Sequence, residues 1–201
     1  MKHDHNDDEE HEKFEREFWG TCVNTFEEDR KHYVYAHFMG VKLSSRADFY
    51  FDAPAERILD IGGGPTSMLL KLKGLSKGKV VDPLHYPDWT RTRYAYVNID
   101  VDVKDGEDVD EEPGQWDEVW IYNVLQHTHD PQRIIDNAKR AAPVLRIFEW
   151  IDIPPHPGHP HMLTETNLNS WIGGTGCTTF LDNVSGCTGR AYYGVFRHEQ
   201  A

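Results

Sequence analysis

Residues 58–72 read ILDIGGGPTSMLLKL, and the fold turns on how this stretch is parsed. An apolar strand closes at Ile61 and runs straight into Gly62, Gly63 and Gly64, then Pro65, two small hydroxyl residues and an apolar run. Glycine lacks a Cβ, so a chain spends it where φ must be positive or where something must touch the backbone. A strand feeding such a turn, with a helix expected over TSMLLKLKGL and closed by Gly74, is the opening unit of an open α/β sheet. Ligands in such sheets bind beyond the carboxyl ends of the strands. The N terminus of the expected helix would add unpaired N–H groups to the same crevice.

Working outward, strands are expected at GKVVDPL (78–84), YAYVNID (94–100), WDEVWIYNVL (116–125) and PVLRIFEWID (143–152). Two more, around CTTFLDNV and RAYYGVFRH, join through Ser185-Gly186 as an antiparallel hairpin. The helix at 130–142 starts at an Asp130 cap with Pro131 at its first position, and a shorter one follows a Thr164 cap. Upstream, Phe14, Phe18 and Trp19 fall at helical spacing before Gly20. A second helix from Thr25 carries Tyr33, Val34, His37 and Phe38 on one side and stops at Gly40. The expected architecture is α/β: a doubly wound, mostly parallel seven-stranded sheet with a C-terminal antiparallel hairpin and an N-terminal helical preface. A single domain is expected, with an acidic disordered tail at 1–12, the preface at 13–45 and a Rossmann-like core at 57–197.

Composition narrows the partners. The 201 residues carry a net charge of −13, which repels phosphate backbones and anionic lipid, so neither nucleic acid nor membrane is expected as a partner. Three cysteines, Cys22, Cys177 and Cys187, are an odd number without CxxC spacing, which suits free thiols and a reducing compartment. The amino-terminal residues have no apolar leader segment, and a cytoplasmic location is expected. His3, His5 and His11 in the acidic tail are read as solvated.

A second acid sharpens the glycine turn. Asp82 closes the second strand 20 residues after Gly62, near the spacing at which an acid meets ribose hydroxyls in nucleotide-binding α/β folds. The dinucleotide fingerprint is incomplete, because Ser67 stands where a third glycine belongs. Asp60 sits just before the turn, where it would repel a pyrophosphate and welcome an ammonium. A nicotinamide-dependent oxidoreductase is therefore disfavoured.

These segments resemble the class I S-adenosylmethionine-dependent methyltransferases, in their small-molecule branch. ILDIGGG resembles the first motif and VVDP the second; WDEVWIYNVLQHTHDPQRIIDNAKRAAPVLRIFEW resembles the strand-four to strand-five segment, and HPHMLTETNLNSWI the stretch after it. The resemblance implies S-adenosyl-L-methionine as cofactor and methyl transfer to an O or N atom of a small-molecule or glycan acceptor. It implies that Gly62, Gly63 and Gly64 line the methionine portion, Asp60 orients its ammonium and Asp82, beside Pro83, holds the ribose. Asp100 would meet the adenine amino group, in competition with Asp102, while Ile99 or Val101 packs on the ring and Asn123 lies beside the sulfonium. The RAAPVLRI turn lacks the usual Pro-Gly-Gly, and nine acids fall between Asp102 and Glu118. A non-catalytic module of the same fold is the alternative.

Histidines supply the candidate bases. His127 in LQHTHDP, and His159 or His161 in HPGHPH, are the candidates for an acceptor-side base. His156, His159 and His161 beside Glu149 and Asp152 invite a zinc reading, but zinc demands three or four converging ligands, and no metal is expected. Trp19 and Tyr35 are expected either to close over the cofactor or to pack in the core.

Overall fold

In the computed structural model, which describes residues 13–22, 24–45 and 49–199, the opening strand lies inside a seven-stranded sheet. Helix α1 covers residues 13–19 and α2 Thr25–Phe38; the acidic tail with His3, His5 and His11 lies outside the described residues. The sheet strands are β2 (Arg57–Ile61), β4 (Lys77–Val81), β5 (Ile99–Asp102), β6 (Glu118–Tyr122), β7 (Val144–Ile151), β8 (Cys177–Val184) and β9 (Cys187–Arg197). Short β1 (Phe51–Asp52) and β3 (Leu72–Lys73) pair separately. The sheet order is β5-β4-β2-β6-β7-β9-β8, parallel as far as β7, with β9 and β8 antiparallel. Order reverses between β4 and β6, on either side of β2, so the crevice of such a sheet falls at the end of β2.

Both faces are covered, which is why β6 and β7 are buried at every position. Helices α4 (Pro131–Ala141) and α5 (Glu165–Ile172) belong to the face where Leu59, Val119, Ile121, Leu145 and Ile147 pack. The opposite face gathers Ile58, Val80, Trp120, Phe148 and Trp150 under α2. Asp130 and Thr164 cap α4 and α5 as expected, accepting from the N–H of Arg133 and Asn167. The Ser185-Gly186 corner takes positive φ at both residues, the conformation that a tight hairpin requires. On the α2 face Glu118 accepts from Arg146 through both oxygens, at 2.6 and 2.8 Å, and Arg146 also donates to the Met39 carbonyl at 2.7 Å. This buried pair pins the end of α2 to the sheet.

Three expectations need correcting. The helix expected over TSMLLKLKGL is absent: only a single 3-10 turn forms, Met68–Lys71, and Leu72–Lys73 becomes β3. The N–H groups of Ser67 and Met68 are taken by the phenols of Tyr94 and Tyr122, and too few residues remain before Gly74 to repay helix nucleation. Strand YAYVNID is also displaced. Its first three residues end helix α3 (Asp88–Tyr96), and the strand begins at Ile99. In α2 the buried stripe is His32, Tyr35, Ala36 and Met39, whereas His37 is exposed.

Candidate functional site

Beyond the carboxyl ends of β2, β4, β6 and β7 lies a cavity of about 870 Å³, the size of a pocket that encloses a drug-sized ligand. Its floor is the glycine turn. Gly62 has φ +77° and Gly64 φ +60°, a region that side-chain-bearing residues rarely enter. A Cβ on Gly62 would stand 2.4 Å from Val124, and one on Gly63 would stand 2.6 Å from the Asp60 carboxylate. The Gly62→Ala protein is therefore expected to lose about 2 kcal/mol of stability or more, from strain and overpacking together, measurable as a lowered urea midpoint.

Asp82 follows β4 directly and lies against the glycine turn, lining the cavity beside it. Its carboxylate accepts from the Gly64 N–H at 3.0 Å, the Leu84 N–H at 3.0 Å and the Tyr86 hydroxyl at 2.8 Å. Burial raises its pKa to about 6 against the pull of these donors. A carboxylate offers about four acceptor directions, so these contacts leave room for a ligand hydroxyl.

Asp60 is wholly buried behind the glycines and does not line the cavity. Ser67 and Tyr122 both donate to its Oδ2, while Oδ1 has no hydrogen-bond partner among the described residues. Burial lifts its pKa to about 7, outweighing the two donors. Glu149 on β7 is buried likewise and accepts from the N–H groups of Val124 and Leu125 at 3.0 and 3.1 Å; its pKa also rises to about 7 by burial. Thus Glu149 fixes the turn whose Val124 props Gly62.

These raised values set a pH dependence. An acid whose folded-state pKa lies above its unfolded value binds more protons when folded, so its contribution to stability is full below about pH 4 and is lost as pH rises through the folded pKa. Asp82, Asp60 and Glu149 together are expected to make the ligand-free protein less stable at pH 8 than at pH 5. Asp60→Asn should flatten that slope in thermal melts taken across this range; an unchanged slope would refute the assignment.

The other expected residues separate into two groups. Pro83, Asn123, His127 and His159 line the cavity, as does Trp19. Ile99, Asp100 and Val101 do not: Ile99 is buried in β5, and Asp100 pairs with Lys79 inside the strand and is exposed. The displaced helix-strand boundary moves this side of the cavity onward, to residues 103–107. Asp102 is bound to Lys79 at 3.0 Å and is absent from the lining. His161 points its Nε2 at the His129 carbonyl and lies outside the cavity. Tyr35 is core, bonded to Trp150.

His127 meets Glu15 of α1, Nδ1 to Oε1 at 3.2 Å, and its ring lies 4.5 Å from that of His159, which lies 4.2 Å from that of His156. No group of three metal-type ligands converges among the described residues. Tyr86, Glu149, Glu15 and the supporting phenols Tyr94 and Tyr122 were not foreseen. Tyr86 alone had a legible cue, four residues after Asp82.

No family model matches the chain, and no curated protein sequence matches it. Solved structures do. The N-methyltransferase NodS of Bradyrhizobium japonicum, in complex with S-adenosylhomocysteine, is 16% identical with a TM-score of 0.62, covering 95% of this chain and 99% of its own. The 1,6-didemethyltoxoflavin-N1-methyltransferase of Burkholderia thailandensis is 14% identical with a TM-score of 0.62, covering 94% and 86%. A SAM-dependent methyltransferase from Aquifex aeolicus is 15% identical with a TM-score of 0.57, covering 88% and 94%. The chain has the class I methyltransferase fold, a mostly parallel seven-stranded sheet ending in an antiparallel hairpin.

Proposed function

We propose that this protein is an S-adenosylmethionine-dependent methyltransferase acting on a small molecule. One observation carries the reading: a positive-φ glycine turn, with the Asp82 carboxylate bonded to it, lines a cavity at the reversal point of the sheet. The residues fit the cofactor. Gly64, where a Cβ would stand 3.7 Å from Trp19 and Tyr86 of the cavity, leaves the backbone open to an amino-acid tail, and a buried acid just after β4 suits a ribose hydroxyl. The fold of the methyltransferases above supports it.

When bound, S-adenosylmethionine supplies a methyl group already activated by its sulfonium, so the protein's task is alignment and exclusion of water. Asp82 would accept a ribose hydroxyl at the acceptor direction its three protein donors leave free. Gly62 and Gly64 would admit the methionine portion to the backbone, while Gly63 is turned toward Asp60 and lies outside the cavity lining, and Asp60, behind them, would lend negative charge toward its ammonium. Asn123, at φ +57° after β6, stands at the sulfur end. Residues 103–107, rather than Asp100, flank the adenine. Phe14, Phe18 and Trp19 of α1 line the cavity from outside and shield it from solvent. His127 and His159 stand on the acceptor side; the acceptor itself is a small molecule or glycan.

Calorimetry with S-adenosylhomocysteine tests this. Binding tighter than about 100 µM is expected, a free energy of roughly 5.5 kcal/mol. No heat at that concentration would sink the proposal.

A further inference from the structure

The sheet order puts the two ends of the cavity far apart. Asp82 follows β4, while the β8–β9 corner with Gly186 and Cys187 lies past the end of β7. Four strand spacings separate them, about 19 Å. At the second end the wall is made by Glu28 and Lys31 of α2, with Trp150 and Ile153.

Lys31 donates to Glu28 Oε1 at 2.6 Å, and the two side chains are only 11% and 12% exposed. Burial pushes the Lys31 ammonium toward neutrality, but Glu28 and the neighbouring Cys187 outweigh it and hold the pKa above its ordinary value. A buried pair of this kind costs desolvation that well-packed apolar residues would avoid, so it is weak evidence of a stabilising role. Here it faces a cavity.

Resting on the methyltransferase reading, we infer that the acceptor is a neutral hydroxyl-bearing ring or chain, with adjacent hydroxyls, seated on the Glu28–Lys31 pair and methylated on oxygen. The pair carries no net charge. An ammonium set against it is drawn by Glu28 and repelled by Lys31; a carboxylate meets the reverse. Either loses its hydration for little net Coulombic return. A hydroxyl both donates and accepts, so it satisfies the carboxylate and the ammonium together.

A second observation agrees. An alcohol is a weak nucleophile until it sheds its proton, and a base within reach of it suits that step. The cavity holds His127 with Glu15 at Nδ1. With the proton on Nδ1, 3.2 Å from Glu15 Oε1, the basic nitrogen is Nε2, which faces the Gln126 amide at 3.4 Å. The acceptor oxygen forms the new bond to the methyl carbon as the carbon–sulfur bond breaks. Its electron pair stays on sulfur, leaving a neutral thioether, and the hydroxyl proton passes to His127 Nε2.

The test uses three probes on one ring: trans-1,2-cyclohexanediol, cyclohexylammonium and cyclohexanecarboxylate. Each is titrated by ligand-observed NMR into protein saturated with S-adenosylhomocysteine. The diol is expected to bind about tenfold more tightly than either charged ring. Glu28→Gln should promote the carboxylate above the ammonium, and Lys31→Met the ammonium above the carboxylate, with circular dichroism reporting the fold. A charged ring preferred by the parent protein, no diol binding, or an order unchanged in both variants overturns the inference. Failure of S-adenosylhomocysteine to bind at all sinks instead the reading on which it rests.

Discussion

Asp82→Ala is expected to weaken S-adenosylhomocysteine binding by roughly two orders of magnitude at pH 8. A hydrogen bond to a charged group contributes about 1.5–3 kcal/mol, so up to about 3 kcal/mol is at stake. The same change strips the Gly64 N–H and the Tyr86 hydroxyl of their acceptor, loosening the turn on which the methionine portion rests. Asp82→Asn keeps the shape and one acceptor oxygen, and should lose less. The pH dependence separates binding from folding. Ribose hydroxyls donate to the ionised form, so affinity is full above the free-protein pKa of about 6 and falls by up to about tenfold per unit below it. Alanine should abolish that slope. Binding that is equally tight in Asp82→Ala would place the ribose elsewhere.

Glu118→Ala is expected to cost about 3–5 kcal/mol of stability, because it leaves the Arg146 guanidinium buried without its carboxylate. Arg146 is only 8% exposed, and Trp120 loses its acceptor in the same substitution, since its indole N–H donates to Glu118 at 2.9 Å. For a chain of this length the melting temperature should fall by about 10 °C. The paired replacement Glu118→Gln with Arg146→Met removes both charges and should recover most of the loss. If the single and double variants melt together, the desolvated charge is not the cause.

How much of this was legible follows from where each signal is written. The strands β2, β6 and β7 announce themselves because they are buried on both faces and so read as mostly apolar runs, and β4 through Val80 and Val81 before Asp82. The α4 start was visible because Asp130 and Pro131 act on their own backbone. The failures are tertiary. TSMLLKLKGL carries helical spacing, yet the N–H groups of Ser67 and Met68 go to Tyr94 and Tyr122, 27 and 54 positions onward, which no local pattern encodes. YAYVNID has strand-forming residues, but its aromatic half belongs to a helix, and with the strand end displaced Asp100 falls outside the cavity lining. Glycines and Asp82 were legible because their chemistry is local to a turn. Glu15, Glu28 and Lys31 were not singled out, since a charged residue on a helix reads as solvated until the rest of the chain closes over it.

The glycine turn leads into a single 3-10 turn instead of a full crossover helix, and α2 reaches over to it. Thr66 donates to Asp29 at 2.9 Å, and Lys71 to the Asp29 carbonyl at 2.8 Å. On the ribosome, α2 leaves the exit tunnel well before the β-sheet it must lean against, and waits with its inner stripe wetted. Assembly of the glycine turn and its cavity is thereby deferred until the middle of the polypeptide has been synthesised, so early folding intermediates should be blind to any ligand of that cavity.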